Sequence, residues 1–215
     1  MSTLDAAYDD AFFDALMDQC PTVGIVPEDF LLLIAGECDF VWGAKNKYGF
    51  QGMTQMGGPA LRAAGWDASK MGEFCDARPV VQLPYSLSYF RHWRKSTPNN
   101  RFENAGMLWL ANLAPAHLKR TDGVVYSQSQ HPTQYAANAG LDVDRDGIIS
   151  VNDLTAKMRR LVDGTAPGRA RTAKLYAEAV ARLEDRRPRP AHVLVYPVVG
   201  EGGIVSVDAT PKPNA

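Results

Sequence analysis

Long apolar runs are missing from this sequence. The longest, Phe30 to Ala35, is far short of the roughly 20 residues that a membrane-spanning helix requires, so stable membrane insertion is not expected. Cysteine is scarce as well. Cys20, Cys38 and Cys75 are odd in number and contain no C-x-x-C pair, which argues against a disulfide framework or a thiolate zinc site. Positive charge is lacking near the N-terminus, where Asp5, Asp9 and Asp10 stand in place of the basic residues of a signal peptide. No fixed-period repeat or low-complexity tract interrupts the chain.

The 215 residues are 46% hydrophobic and 22% charged, enough to bury a substantial core in one domain with appendages. The net charge of −1 conceals an asymmetry: residues 1–78 hold 5 Lys/Arg against 12 Asp/Glu, and residues 79–215 hold 18 against 12. A basic second half suits an anionic polymer or an ordinary solvated surface.

Helical periodicity dominates. It predicts helices over Tyr8 to Cys20, Pro27 to about Val41, Pro59 to Ala64, Ser69 to Cys75, Val80 to Lys95, Phe102 to Ala114, Thr133 to Ala139, Val151 to Val162 and Arg169 to Arg186. Gly43 to Gly58 reads as a loop or short irregular hairpin, and Pro115 to Pro132 is rich in turn signals. After Pro188 and Pro190, two valine- and isoleucine-rich runs flank Gly200-Glu201-Gly202-Gly203, the pattern of a β-hairpin. The expected organisation is a helical domain over residues 1–187 and a hairpin tail over 188–215.

Glu37 is the first chemical anomaly. It follows Leu33 by four residues and Ile34 by three, on a helix otherwise fit for burial. Desolvation favours the protonated carboxyl and raises its pKa, and a carboxylic acid held protonated near neutrality is what cleavage of a glycosidic bond needs. A helix-end glutamate reaching solvent or a basic partner is the alternative.

The surroundings of Glu37 carry a family pattern. Ile34-Ala35-Gly36-Glu37-Cys38-Asp39-Phe40, followed by Gly49-Phe50-Gln51-Gly52-Met53-Thr54-Gln55-Met56, resembles the two adjoining signatures of the soluble lytic transglycosylase and goose-type lysozyme group. The first is a helix ending in Glu-Ser and the second a Gly-Leu-Met-Gln segment. The resemblance implies that Glu37 is the catalytic acid and that Gly52, Met53 and Gln55 belong to the sugar site. Cys38 replaces the usual serine, and Thr54 stands where methionine is common. The likeness extends through Gln82 to Phe90, Met107 to Pro115 and Tyr135 to Asp142, over about residues 28 to 160, and is nearest to phage-encoded members. Tyr135 and Asn138 approximate the family's Tyr-Asn-Ala-Gly segment, which implies a substrate-binding role for both.

A second motif follows. Asp142, Asp144, Asp146, Gly147, Ile149 and Asp153 fill positions 1, 3, 5, 6, 8 and 12 of an EF-hand-type loop. The acids, with the Ile148 carbonyl, are the expected ligands of a structural calcium ion; Gly147 permits the sharp turn and Ile149 anchors the loop. Asp153 departs from the usual glutamate. An acidic turn that binds nothing is the alternative.

The expected fold is therefore mainly α: a lysozyme-like helical domain with an EF-hand-type loop and a small C-terminal hairpin. The resemblance implies a peptidoglycan lytic transglycosylase that cuts the β-1,4 bond between N-acetylmuramic acid and N-acetylglucosamine with one glutamate. Two alternatives stay open: a hydrolytic muramidase drawing a second acid from elsewhere, such as Asp67, and an inactive cell-wall-binding or virion structural protein. The expected partners are peptidoglycan glycan strands and other phage virion proteins, and not nucleic acid. The expected route is synthesis in the cytoplasm without a signal peptide and action on the cell wall outside it. Trp42, Tyr48 and Trp66 are candidate cleft walls.

Overall fold

The computed structural model describes residues 4–119, 123–165 and 167–187. The chain divides into two units, Met1–Asp185 and Arg186–Ala215. The hairpin expected over residues 188–215 lies outside the described residues.

The first unit is mainly helical. Its α-helices are α1 (Asp10–Gln19), α2 (Pro27–Cys38), α3 (Gly58–Ala63), α4 (Met71–Asp76), α5 (Pro79–Arg94), α6 (Ala105–Leu113), α7 (Pro132–Asn138), α8 (Val151–Val162) and α9 (Ala170–Glu184). Two short strands, β1 (Val124–Ser127) and β2 (Ile148–Ser150), pair antiparallel. Among the described residues no helix is long and apolar enough to cross a membrane.

Local chemistry sets most boundaries. Pro27 opens α2, and Glu28 and Asp29 lie in its first turn, where acids complement the helix dipole. The helix ends at Cys38 rather than near Val41, because Asp39 and Phe40 both take positive φ, 53° and 58°. The sixth helix starts later than the periodicity predicts, at Ala105, since the Asn104 side chain accepts from the Met107 N–H. Ser150 and Asp153 form a reciprocal capping box on α8.

The second helix is the central element. Phe30 to Ala35 are all buried, and α2 packs against α6, α8 and α9. Each large side chain in that run contributes roughly 1.5–3 kcal/mol by leaving water. Gly106 lets α6 approach α8: a Cβ there would lie 2.2 Å from Thr155 Oγ1 and 2.5 Å from the Val151 carbonyl. That close approach fixes where α6 stands relative to the C-terminal end of α2.

Candidate active site

Glu37 occupies the last turn of α2, half-buried at the edge of the core. It lines an open pocket of about 200 Å³ with Asn46, Phe50 and Gln55 from the 43–57 loop and Trp109, Asn112 and Leu113 from α6. The three α6 residues fall at i, i+3 and i+4, so one helical face supplies a whole wall. Glu37 is the only carboxylate among the described residues lining this pocket.

Removal from water pushes the Glu37 carboxyl up to about 7, and one hydrogen bond partly opposes that rise. The bond comes from Asn112, whose Nδ2 donates to Glu37 Oε1 at 3.3 Å and to the Thr54 carbonyl at 3.0 Å. Both amide hydrogens are thereby used, and Asn112 ties α2, α6 and the loop together.

Buried polar side chains of α5 pin the loop. Gln82 accepts from the Met53 N–H at 2.8 Å and donates to the carbonyls of Ala77 and Trp42. Ser86 Oγ lies 2.9 Å from Thr54 Oγ1. Gly52 has φ 82°, and a Cβ there would meet Gln82 Oε1 at 2.7 Å and Phe74 Cε1 at 2.8 Å, so only glycine fits between α5 and the loop. Gln55 spends both amide hydrogens on the carbonyls of Gly52 and Ala44. What it can offer to a ligand is its carbonyl oxygen.

Several of the expected site residues lie away from the Glu37 pocket. Met53 is 0% exposed; its side chain belongs to the core and its N–H donates to Gln82, so it supports the loop from beneath and does not line the pocket. Tyr135 and Asn138 are not among the lining residues of the Glu37 pocket. Tyr135 instead donates its hydroxyl to Asp142 Oδ2 at 2.6 Å, and Asn138 donates to the Gln134 carbonyl. The asparagine at the carboxyl is Asn112. Trp66 packs edge-on against Phe74 and Tyr85, and Trp42 lines a different cavity, so Trp109 and Phe50 form the aromatic walls. A signal for Asn112 was present: it is the one amide in the otherwise apolar α6 run, as Glu37 is the one carboxylate of the buried part of α2.

Neighbouring candidates for chemistry are occupied elsewhere. Cys38 directs its thiol to the Ile34 carbonyl, and burial pushes it up to about 12; it is an inert thiol. Asp39 accepts from Arg171 and Thr172 of α9. Asp67 is exposed and accepts from the Ser69 N–H and hydroxyl.

The second acidic site lies between α7 and α8. Asp142, Asp144 and Asp146 bring one oxygen each within 4.8 Å of one another and could together hold a cation. Asp142 accepts from Tyr135, Arg145 N–H and Gly147 N–H, and the Tyr135 hydroxyl foremost lowers its pKa. Asp144 accepts from the Asp146 N–H, yet burial and the charges of Asp146, Asp153 and Asp142 leave its pKa raised. Mutual repulsion of this kind fits a set of carboxylates that gains from a cation. Gly147 takes φ 84° and Ile149 is fully buried, as a calcium-type loop requires. Asp153 stands outside the cluster: it accepts from Val143 N–H, Ser150 N–H and the Ser150 hydroxyl, which makes it the loop's closing cap. Ile148 opens β2, and its N–H donates to Asp146.

Compared with known proteins, the chain matches no family model, no curated protein and no solved structure.

Proposed function

We propose that the protein cleaves the glycan strand of peptidoglycan as a lytic transglycosylase with a lysozyme-like fold, and that Glu37 is its acid and base. One observation carries the reading: a lone carboxyl, raised to about 7, sits in an open pocket between an aromatic wall and amide groups. At neutral pH a large share of Glu37 is protonated, the state a leaving alkoxide requires.

Glu37 donates its proton to the glycosidic oxygen as the bond to C1 of N-acetylmuramic acid breaks. The Asn112 N–H holds the carboxyl in place and stabilises the carboxylate that results. A second protein carboxylate would have to stand about 5–5.5 Å away to serve as nucleophile, or about 6.5–9.5 Å away to activate water. None lines the pocket among the described residues. The positive charge at C1 is therefore met by the carbonyl oxygen of the sugar's own 2-acetamido group. Glu37 then takes the proton from the C6 hydroxyl as that oxygen closes on C1, which gives a 1,6-anhydro end. Phe50 and Trp109 suit the apolar faces of sugar rings, and the Gln55 carbonyl suits a sugar hydroxyl or amide N–H.

The acid loop is assigned to calcium, held by Asp142, Asp144 and Asp146 with the Ile148 carbonyl. The ion's contribution there is structural, since it offsets the repulsion of three carboxylates next to the first turn of α8.

Digestion of purified peptidoglycan followed by mass spectrometry tests the reaction. Anhydro-ended muropeptides, one water lighter than hydrolytic products, are expected. Dominant reducing-end N-acetylmuramic acid favours the muramidase instead, and intact glycan removes the enzyme reading altogether.

A further inference from the structure

Thr54 and Ser86 are buried hydroxyl-bearing residues, and neither lines the Glu37 pocket. A buried hydroxyl is costly unless it is bonded. Their oxygens lie 2.9 Å apart, and Ser86 Oγ has a further acceptor in the Met56 sulfur at 3.8 Å. One arrangement uses both hydrogens: Thr54 donates to Ser86, and Ser86 donates to Met56. Gln82 stands one turn before Ser86 on the same buried face of α5 and accepts from the Met53 N–H. That face therefore grips the backbone at Met53 and the side chain at Thr54.

What Thr54 carries is the carbonyl that anchors Asn112. The peptide plane between Thr54 and Gln55 aims this carbonyl, and the N–H of the same plane donates to the Gly52 carbonyl at 3.1 Å. Gln55 leaves the plane at φ 48°, in the left-handed region that a residue with a Cβ enters only under constraint. Turning the plane over changes the Thr54 ψ and the Gln55 φ together. It would return Gln55 to ordinary backbone and carry the carbonyl away from Asn112, which would lose one of the two acceptors that fix its amide at Glu37.

We propose that Thr54 and Ser86 are positioning residues: their buried hydroxyl pair locks the carbonyl that sets Asn112 against Glu37, from beneath the pocket rather than within it. The consequence for cleavage rests on the reading of Glu37 as the acid, whereas the consequence for the state of the Glu37 carboxyl does not. Nothing else titratable lines the pocket among the described residues. At the end of α2, burial keeps the Cys38 thiol neutral beside Tyr8 of the segment before α1, and Asp39 is paired with Arg171 of α9. On the α8 side, Met158 and Leu161 face Gly36. The Asn112 bond is thus the contact through which the loop acts on Glu37.

Two readouts on the full chain test this. The first is the titration midpoint of Glu37, followed by carboxyl-carbon NMR with Glu37→Gln identifying the resonance, which needs no substrate. The second is the pH–rate profile on peptidoglycan. The Asn112 bond favours the carboxylate, so loosening it raises the midpoint. Thr54→Val should raise it by about half a pH unit, part of the worth of one hydrogen bond, and lower kcat by about threefold. Thr54→Ser keeps the hydroxyl and should hold the wild-type midpoint. Ser86→Ala leaves the Thr54 hydroxyl without its acceptor and should lower the melting temperature. Adding Thr54→Val to it removes the orphan and should restore most of the stability, while the raised midpoint persists. In an Asn112→Leu background Thr54→Val should add no shift, because its effect passes through Asn112. A midpoint unmoved by Thr54→Val and by the double variant, or one that recovers together with stability, reduces the pair to packing and overturns the proposal. A Thr54→Val shift that survives the loss of Asn112 overturns it as well. The expected shifts in a protein that leaves peptidoglycan intact keep the positioning role and remove the glycan reading, and an active enzyme with unmoved midpoints does the reverse.

Discussion

Glu37 and the acids of the 142–153 loop carry the same functional group in opposite surroundings. Glu37 stands alone, withdrawn from water at the end of a buried helix, with one amide donor on one oxygen. The loop acids stand together near solvent, where backbone N–H groups, a tyrosine hydroxyl and each other's charges set their behaviour. Isolation with desolvation makes a carboxyl retain a proton, whereas crowding near water makes carboxylates attract a cation. On the reading proposed above the first arrangement serves chemistry and the second serves stability, so damage to each should have a different readout.

The sharpest separation comes from Glu37→Gln, which keeps the shape and removes the titratable proton. Peptidoglycan cleavage should fall by roughly 10²–10⁴-fold. A variant that retains more than about a tenth of the wild-type rate breaks the assignment. The same substitution should stabilise the fold in a pH-dependent way. Because the folded carboxyl titrates near 7 and an unfolded glutamate near about 4.3, the folded state binds the proton more tightly. Wild-type stability therefore declines as pH rises between those values and is level above them. Glu37→Gln should relieve up to about 3 kcal/mol of that loss above pH 7 and nothing below pH 4, which urea unfolding at the two pH values would check.

Calcium should act on the other region alone. An ion held only by the folded loop adds about 2.7 kcal/mol at a hundredfold excess over its Kd, seen as a melting temperature that rises with calcium and falls with chelator. Asp142→Ala with Asp144→Ala should erase the rise, and Glu37→Gln should preserve it. A wild-type melting curve that ignores both calcium and chelator reduces the loop to an acidic turn.

Asn112 gives the smallest effect and the most specific one. Its N–H favours the Glu37 carboxylate, so Asn112→Leu should move the alkaline limb of the pH–rate profile to higher pH. Loss of the bond that orients the carboxyl should also lower kcat by about tenfold, the scale of one hydrogen bond to a charged group. An unmoved limb in a folded, active variant would show that Asn112 acts only as packing.

Much of this was legible along the chain, because the determining interactions are local. Proline, acids and an apolar run specify α2 through positions one to four residues apart, and Ser150 and Asp153 cap α8 within a single turn. The anomaly of Glu37 needed only helical periodicity, and the alternating acids of the loop needed only their spacing. The β1–β2 pairing escaped, since its partners lie more than twenty residues apart and β1 falls within a turn-rich stretch.

What joins Glu37 to its surroundings was decided in three dimensions. Asn112 is 75 residues from Glu37 along the chain and reaches it because Gly106 allows α6 to close on α8 while both pack on α2. The same packing explains why Asn112, rather than Tyr135 or Asn138, stands beside Glu37: the resemblance pointed to one segment, and helix packing brought another to the carboxyl. Met53 and Gln55 show the limit most simply. They are two residues apart in one motif, yet one is locked into the core and the other lines the pocket. Residue type and spacing determine which helices form and which side chains are chemically unusual, because those depend on neighbours within a turn. Which of them share one pocket depends on burial against distant helices, and only the packed chain supplies that.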